Sequence, residues 1–196
     1  MPGMAEFDET YYRRFYESKK TRVSGPEQVS HLCAGAVGMI RWFGGEIGTV
    51  LDVGAGVGLW RDWFGKNERR AKYRSIEVSE YACKRYGHER RDIVTWRAHE
   101  RFDLVICQGV LPYLSDEDAA RAIENLAAMS RGFLYLEAIT ARDLDTVCDR
   151  DLTDVTVHAR PASFYTSRLG QHFTRLGCGL FYVRGGPLQF YELERA

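Results

Sequence analysis

The chain is short of cysteine, carries no net charge and has no long apolar run, and each shortage removes a class of protein. Its five cysteines, Cys33, Cys83, Cys107, Cys148 and Cys178, are odd in number and widely spaced in a chain of 196 residues. They read as reduced core thiols rather than a disulfide framework. Neither a CxxC pair nor an HxxxH pair occurs, and the five histidines are scattered, so no metal site is expected. The 27 basic side chains are balanced by 27 acidic ones, which argues against a partner bound mainly through its phosphates. No apolar stretch approaches membrane-spanning length, and Met1 to Glu9 lacks the basic start and apolar core of a signal peptide. Neither a membrane nor a nucleic acid is therefore the expected partner, and the expected location is the cytoplasm.

What is present is enough apolar sequence, 45% of the chain, to bury one core without covalent staples. Tyr11 to Arg22 mixes aromatic and basic residues and ends at the turn Ser24-Gly25-Pro26. Val29, Leu32, Cys33, Ala36, Val37, Ile40 and Phe43 then recur at helical spacing until Gly44-Gly45, which predicts an amphipathic helix. Apolar strands are expected over Thr49–Val53, Tyr73–Glu77, Arg91–Val94, Phe102–Cys107 and Phe133–Glu137, with helical stretches between them. This alternation implies a parallel sheet covered on both faces. Another helix is expected over Tyr165–Phe173, and Gly179–Val183 and Leu188–Leu193 read as a hairpin joined by Arg184-Gly185-Gly186-Pro187. Residues 1–45 are expected to form a helical cap and residues 46–196 the ligand-binding domain.

The strongest local signal is Val50-Leu51-Asp52-Val53-Gly54-Ala55-Gly56-Val57-Gly58, an apolar strand running into a glycine-rich turn before a helix. Glycines admit positive φ and remove the Cβ atoms that would hold a ligand away from the backbone. The spacing is GxGxG; a dinucleotide fingerprint would need glycine where Leu59 stands. Two further acids, Glu77 and Asp92, follow successive strands, and ligands of open α/β sheets bind at such carboxyl ends.

The stretch around Asp52, Gly54, Gly56 and Gly58 resembles the first motif of class I S-adenosylmethionine-dependent methyltransferases. The resemblance covers Thr49 to Glu194 and implies a three-layer Rossmann-like α/β fold, a seven-stranded, mostly parallel sheet closed by an antiparallel hairpin. It implies that Asp52, Gly54, Ala55, Gly56 and Gly58 cradle the amino-acid half of S-adenosylmethionine. Glu77, expected at a surface position, would accept the ribose hydroxyls, with Val78 beside it. Asp92 and the Ile93 amide would meet the adenine, and Gln108 would border the methionine tail. Tyr113 stands where many small-molecule members carry histidine, so the chain departs from them there.

The implied reaction is an in-line displacement by which an acceptor takes the activated methyl, leaving S-adenosylhomocysteine. Tyr113, Glu137 and His158 are the candidate general bases. Tyr11, Tyr12, Phe15 and Tyr16 could fold over the site as a lid and offer faces to the sulfonium. A small-molecule acceptor is expected, because the chain has no appended recognition domain. The alternatives are a nucleic-acid or protein methyltransferase gripping its partner with Arg13, Arg14, Lys19, Lys20 and Arg22, and a cofactor-binding module without turnover. Asp116 and Asp118 are assigned to a helix cap opened by Ser115. The expected oligomeric state is monomer or homodimer.

Overall fold

The computed structural model describes residues 7–22 and 24–196; Met1 to Glu6 and Val23, within the expected 1–45 segment, lie outside the described residues. The N-terminal segment forms α1 (Glu9–Tyr12), which continues as a π-helical turn over Arg13–Glu17. α2 (Pro26–Trp42) follows, and its start and stop have local causes. Pro26 occupies the first turn, where its missing amide is not needed, and the Gln28 side chain accepts from the Gly25 amide at 2.8 Å. At the other end Gly44 turns left-handed at φ 83, and the Gly45 amide donates back to the Ile40 carbonyl at 2.8 Å.

The sheet then alternates with helices: β1 (Thr49–Val53), α3 (Leu59–Asn67), β2 (Lys72–Glu77), α4 (Glu80–Tyr86), β3 (Glu89–Arg90), β4 (Phe102–Gln108), α5 (Asp116–Met129) and β5 (Ser130–Glu137). After α6 (Ala141–Thr146) and α7 (Ala162–His172) come β6 (Phe173–Gly177) and β7 (Leu180–Val183). The strand order is β3-β2-β1-β4-β5-β7-β6, parallel except that β7 runs antiparallel between β5 and β6. From β1 the chain builds outward to β2 and β3, then returns to place β4 on the other side. This reversal makes the crevice between the carboxyl ends of β1 and β4 the place where such a sheet accepts a ligand.

Alternating strand residues feed two cores. Val50, Leu104, Ile106, Phe133 and Tyr135 pack with Val29, Cys33, Val37 and Ile40 of α2 and with Trp60 and Phe64 of α3. Leu51, Val53, Val105, Cys107, Leu134 and Leu136 pack on the opposite face with Ala122, Ile123 and Leu126 of α5 and Leu169 of α7. Three layers result, as expected, and α2 shares its core with the sheet.

Several expected elements differ. Arg91–Val94 is not a strand; β3 is the dipeptide Glu89–Arg90 before it. The Asp92 carboxylate takes the Val94 amide at 2.8 Å, and the Thr95 and Trp96 amides return to the Asp92 carbonyl, so a local turn outcompetes the ladder. The C-terminal hairpin also lies earlier: β6 and β7 meet at Cys178-Gly179, both left-handed at φ 48 and 77, the geometry of a two-residue turn. Cys178 is accordingly exposed rather than a core thiol, and only Cys33 and Cys107 are buried. Leu188–Leu193 forms no strand. Pro187 has no amide to donate, and beyond it Phe190 packs its ring on Tyr182 and Phe43, each with centroids 5.2 Å apart.

Candidate active site

The glycine turn leaves β1 at the switch point with Gly54, Gly56 and Gly58 all left-handed, at φ 71, 56 and 80. The Gly54 and Ala55 amides donate to the Ile76 carbonyl at 2.9 and 3.1 Å, tying the turn to β2. A Cβ on Gly54 would lie 2.2 Å from Val110 Cγ2. One on Gly56 would meet nothing closer than 3.9 Å, where the Tyr16 ring and the Gly54 carbonyl stand. The Gly56 backbone therefore faces open space roofed by an aromatic side chain, a cradle for a bound group.

Beneath the turn, Asp52 is buried and accepts from the Tyr73 hydroxyl at 2.7 Å. Burial pushes its carboxyl up to about 7, against the opposing pull of the Tyr73 bond. Glu77 is buried as well, at 5% exposure, and not at the surface position expected of it. Its carboxylate accepts from the Gly56 amide at 3.0 Å, the Val78 amide at 2.8 Å and the Ser79 amide at 3.0 Å. It organises the turn while standing at its edge. Val78 beside it leaves 46% of its surface open, an apolar face suited to a planar ring. Asp92 and Ile93 lie in the loop after β3, with Ile93 buried and its carbonyl held by the Asn125 side chain at 2.7 Å.

His88 packs against the same turn, although no motif in the sequence marks it. It is buried, with Nε2 3.0 Å from the Gly56 carbonyl and Nδ1 2.8 Å from Ser75 Oγ. Burial lowers its pKa, so the neutral ring supports the turn from below. The signal that could have found it is position: it follows the α4 stop at Gly87 and leads into the strand beside β2.

At the end of β4, Gln108 accepts from the Trp60 indole at 2.8 Å and donates to Glu137 at 3.2 Å. Glu137 also accepts from the Tyr135 hydroxyl at 3.2 Å. Gln108 and Glu137 are thus brought together, and Trp60 joins them unannounced by any motif.

The N-terminal segment covers the crevice. Tyr12 is buried and stacked on Tyr81 of α4, centroids 5.8 Å apart. Tyr16 stands over Gly56 with 38% of its surface open, and Phe15 packs on Tyr11 at 5.1 Å. The Tyr11 hydroxyl lies 2.9 Å from that of Tyr113. Asp154, from the loop before α7, also bears on these phenols; its Oδ1 accepts from the Thr156 amide at 2.9 Å. Burial pushes the phenols of Tyr11 and Tyr113 far above the ordinary tyrosine value, with the charge of Asp154 adding to it.

His158 lines an open cleft of about 560 Å3 with Asp116, Arg160 and Phe164, while its amide donates to the Pro112 carbonyl beside Tyr113 at 2.8 Å. There Asp116 pairs with the buried Arg160 at 2.7 Å. Ser115 does cap α5, accepting from the Asp118 amide at 3.1 Å. Arg13, Arg14, Lys19 and Lys20 are exposed. Among the described residues no helix is long and apolar enough to cross a membrane, and no group of His, Cys, Asp and Glu is arranged to hold a metal ion.

The fold is that of class I methyltransferases. Over 93% of this chain and 95% of the other, it superposes on magnesium protoporphyrin IX methyltransferase from Synechocystis PCC 6803, crystallised with S-adenosylmethionine, at a TM-score of 0.60 and 17% identity. An S-adenosylmethionine-dependent methyltransferase from Clostridium acetobutylicum ATCC 824 gives 0.64 at 12% identity, covering 90% and 97% of the two chains. A plantazolicin methyltransferase bound to S-adenosylhomocysteine and a desmethylplantazolicin analogue gives 0.62 at 16% identity, covering 83% and 66%. Among curated proteins none matches this chain in sequence. The family model described as a methyltransferase domain matches residues 9–178, and the chain belongs to that family.

Proposed function

We propose that the protein transfers a methyl group from S-adenosylmethionine to a small-molecule acceptor held between the crevice and the N-terminal segment. The observation that carries this reading is the left-handed glycine turn at the switch point, open above Gly56 and braced by Glu77 and His88. When bound, the cofactor supplies a methyl already activated on a sulfonium.

In this reading the chain's residues bind, orient and exclude water. The backbone of Gly54 to Gly58 holds the amino-acid end, with Asp52 below it. Glu77 offers its remaining acceptor capacity to the ribose, Val78 lies against the adenine, and Asp92 with the Ile93 amide meets the ring edge. Gln108, fixed between Trp60 and Glu137, borders the reacting end. Tyr11, Phe15 and Tyr16 close the top and keep the reaction dry, and Tyr12 anchors them. A small-molecule acceptor is in keeping with two of the structural neighbours, which carry a porphyrin and plantazolicin in their names.

Calorimetry tests the donor: S-adenosylmethionine and S-adenosylhomocysteine are expected to bind, and preferential binding of NAD would overturn the reading. Incubation with methyl-labelled cofactor, followed by separate counting of small molecules and macromolecules, tests the acceptor. Label confined to protein or nucleic acid would favour the exposed basic residues of the N-terminal segment as a partner grip.

A further inference from the structure

A cavity of about 300 Å3 opens beside Glu137, between α7 and the strands β5, β7 and β6 at one end of the sheet. Its walls are largely apolar, with Leu136 of β5, Phe181 of β7 and Tyr165 and Leu169 of α7. Among the described residues, the charged side chains that line it are Glu137 and Arg175. They stand apart. Arg175 on β6 is level with Phe181 of β7, and Phe181 with Leu134 of β5. Glu137 therefore lies three residues nearer the carboxyl edge and two strands across, about 10 Å along the sheet and about 10 Å over it. Glu137 also joins the cavity to Gln108. Its Oε2 accepts from the Gln108 side chain and from the Tyr135 hydroxyl, each at 3.2 Å, which leaves Oε1 to a ligand. Arg175 is exposed on the edge strand, and among the described residues its guanidinium enters no ion pair.

A space with a carboxylate at one end, an unpaired guanidinium at the other and hydrocarbon between them sorts ligands by charge. An anionic head is repelled by Glu137 and drawn to Arg175, whose planar fork of N–H donors matches a carboxylate with two parallel bonds. Resting on the methyl-transfer reading above, we propose that the acceptor is a hydroxylated organic acid that reaches from the crevice into this cavity. Its carboxylate sits on Arg175, its carbon body lies against Leu136, Leu169 and Phe181, and its hydroxyl donates to Glu137 Oε1 beside Gln108. The acid head fixes which end of the molecule meets the methyl, so Arg175 determines specificity. At the other end Glu137 is the general base. The hydroxyl proton passes to Oε1 as the O–C bond forms and the C–S bond breaks, its electron pair staying on sulfur, and Glu137 then returns the proton to solvent. An arginine on an edge strand can also serve only to discourage pairing between sheets. That role gives no preference among small ligands.

The full chain, with and without saturating S-adenosylhomocysteine, is titrated by calorimetry at pH 7 with 6-hydroxyhexanoate and 3-(4-hydroxyphenyl)propionate, with the uncharged amides of both, and with hexanoate. Each hydroxy acid is expected to bind at least tenfold more tightly than its amide, and 6-hydroxyhexanoate more tightly than hexanoate. Arg175→Gln, at an exposed position, is expected to erase the preference for acid over amide while the melt and the S-adenosylhomocysteine affinity, within twofold, stay unchanged; Arg175→Lys should keep part of it. Glu137→Ala is expected to remove the advantage of 6-hydroxyhexanoate over hexanoate. Thr166→Trp, which fills the cavity from the exposed side of α7, should abolish binding of both acids. Equal binding of acid and amide, no binding of either acid, a preference unchanged in Arg175→Gln, a hydroxyl advantage unchanged in Glu137→Ala, or acid binding untouched by Thr166→Trp would each overturn the proposal. Failure of S-adenosylhomocysteine to bind, with the acid preference intact, would instead overturn the cofactor reading alone.

Discussion

The hydroxyl of Tyr11 stands 2.9 Å from that of Tyr113, so the N-terminal segment is fastened to the turn that follows β4 across 102 residues of sequence. A second fastening is apolar, with Tyr12 buried against Tyr81. Tyr12 packs the segment into the fold and Tyr16 stands over Gly56, so packing and the proposed cover are tasks of different side chains.

Truncating Tyr12 and Tyr16 should separate those tasks. Tyr12→Ala removes a buried ring and is expected to cost about 3 to 5 kcal/mol of stability. Tyr16→Ala, at a side chain 38% exposed, should shift the melt far less while lowering affinity for S-adenosylmethionine more than for the product, which lacks the sulfonium charge. Melting curves and calorimetry on both variants check this; equal stability losses would mean that Tyr16 is merely packing.

Glu77→Ala is expected to lose stability and cofactor affinity together, because three backbone amides lose their shared acceptor. A loss of about 2 to 4 kcal/mol in folding follows from such bonds to a charged group. Unaltered melting with weakened binding would mean that the carboxylate serves the ligand alone.

Asp52 makes stability depend on pH in an unusual direction. Its carboxyl is raised to about 7 in the fold from the ordinary 3.8, so between these values the folded state holds the extra proton. Stability is lost as pH rises from about 4 to about 7, by on the order of 4 kcal/mol. Asp52→Asn should therefore gain stability over the natural protein at pH 8 and lose that advantage at pH 4, as read by chemical denaturation at both. His88 has the opposite sign: its lowered pKa adds a loss of stability as pH falls below its ordinary value of about 6.5.

Two left-handed glycines should answer differently to alanine. Gly109, at φ 71, has no atom within 4 Å of a new Cβ, and its substitution should cost only the conformational penalty of about 1 to 2 kcal/mol. Gly54, also at φ 71, would drive that carbon to 2.2 Å from Val110. Gly54→Ala should melt substantially lower than Gly109→Ala and bind S-adenosylhomocysteine poorly. Matching melts would mean that Val110 yields freely.

The layers and the parallel strands were legible because apolar strands alternate with stretches at helical spacing, and the first, Val50 to Gly58, runs into a strong local motif. The cofactor family was legible for the same reason. Asp92 misled as part of a strand because its side chain makes a turn that composition does not advertise. The hairpin was displaced because Gly185-Gly186-Pro187 looks more like a turn than Cys178-Gly179, where a cysteine accepts φ 48. His88 and Trp60 carried no motif. They reach the site through register and loop anchoring, which no spacing along the chain encodes.

The cover over Gly56 has a consequence for traffic. If the proposed nucleoside product leaves past Tyr16, the paired hydroxyls of Tyr11 and Tyr113 are what would part, while Tyr12 would stay seated against Tyr81. Opening by a swing about a fixed point breaks few contacts and belongs to loop motions of microseconds to milliseconds. The pace of successive turnovers would then be set by unlatching at Tyr11 and Tyr113, and the bond-making step would wait on the exchange of cargo.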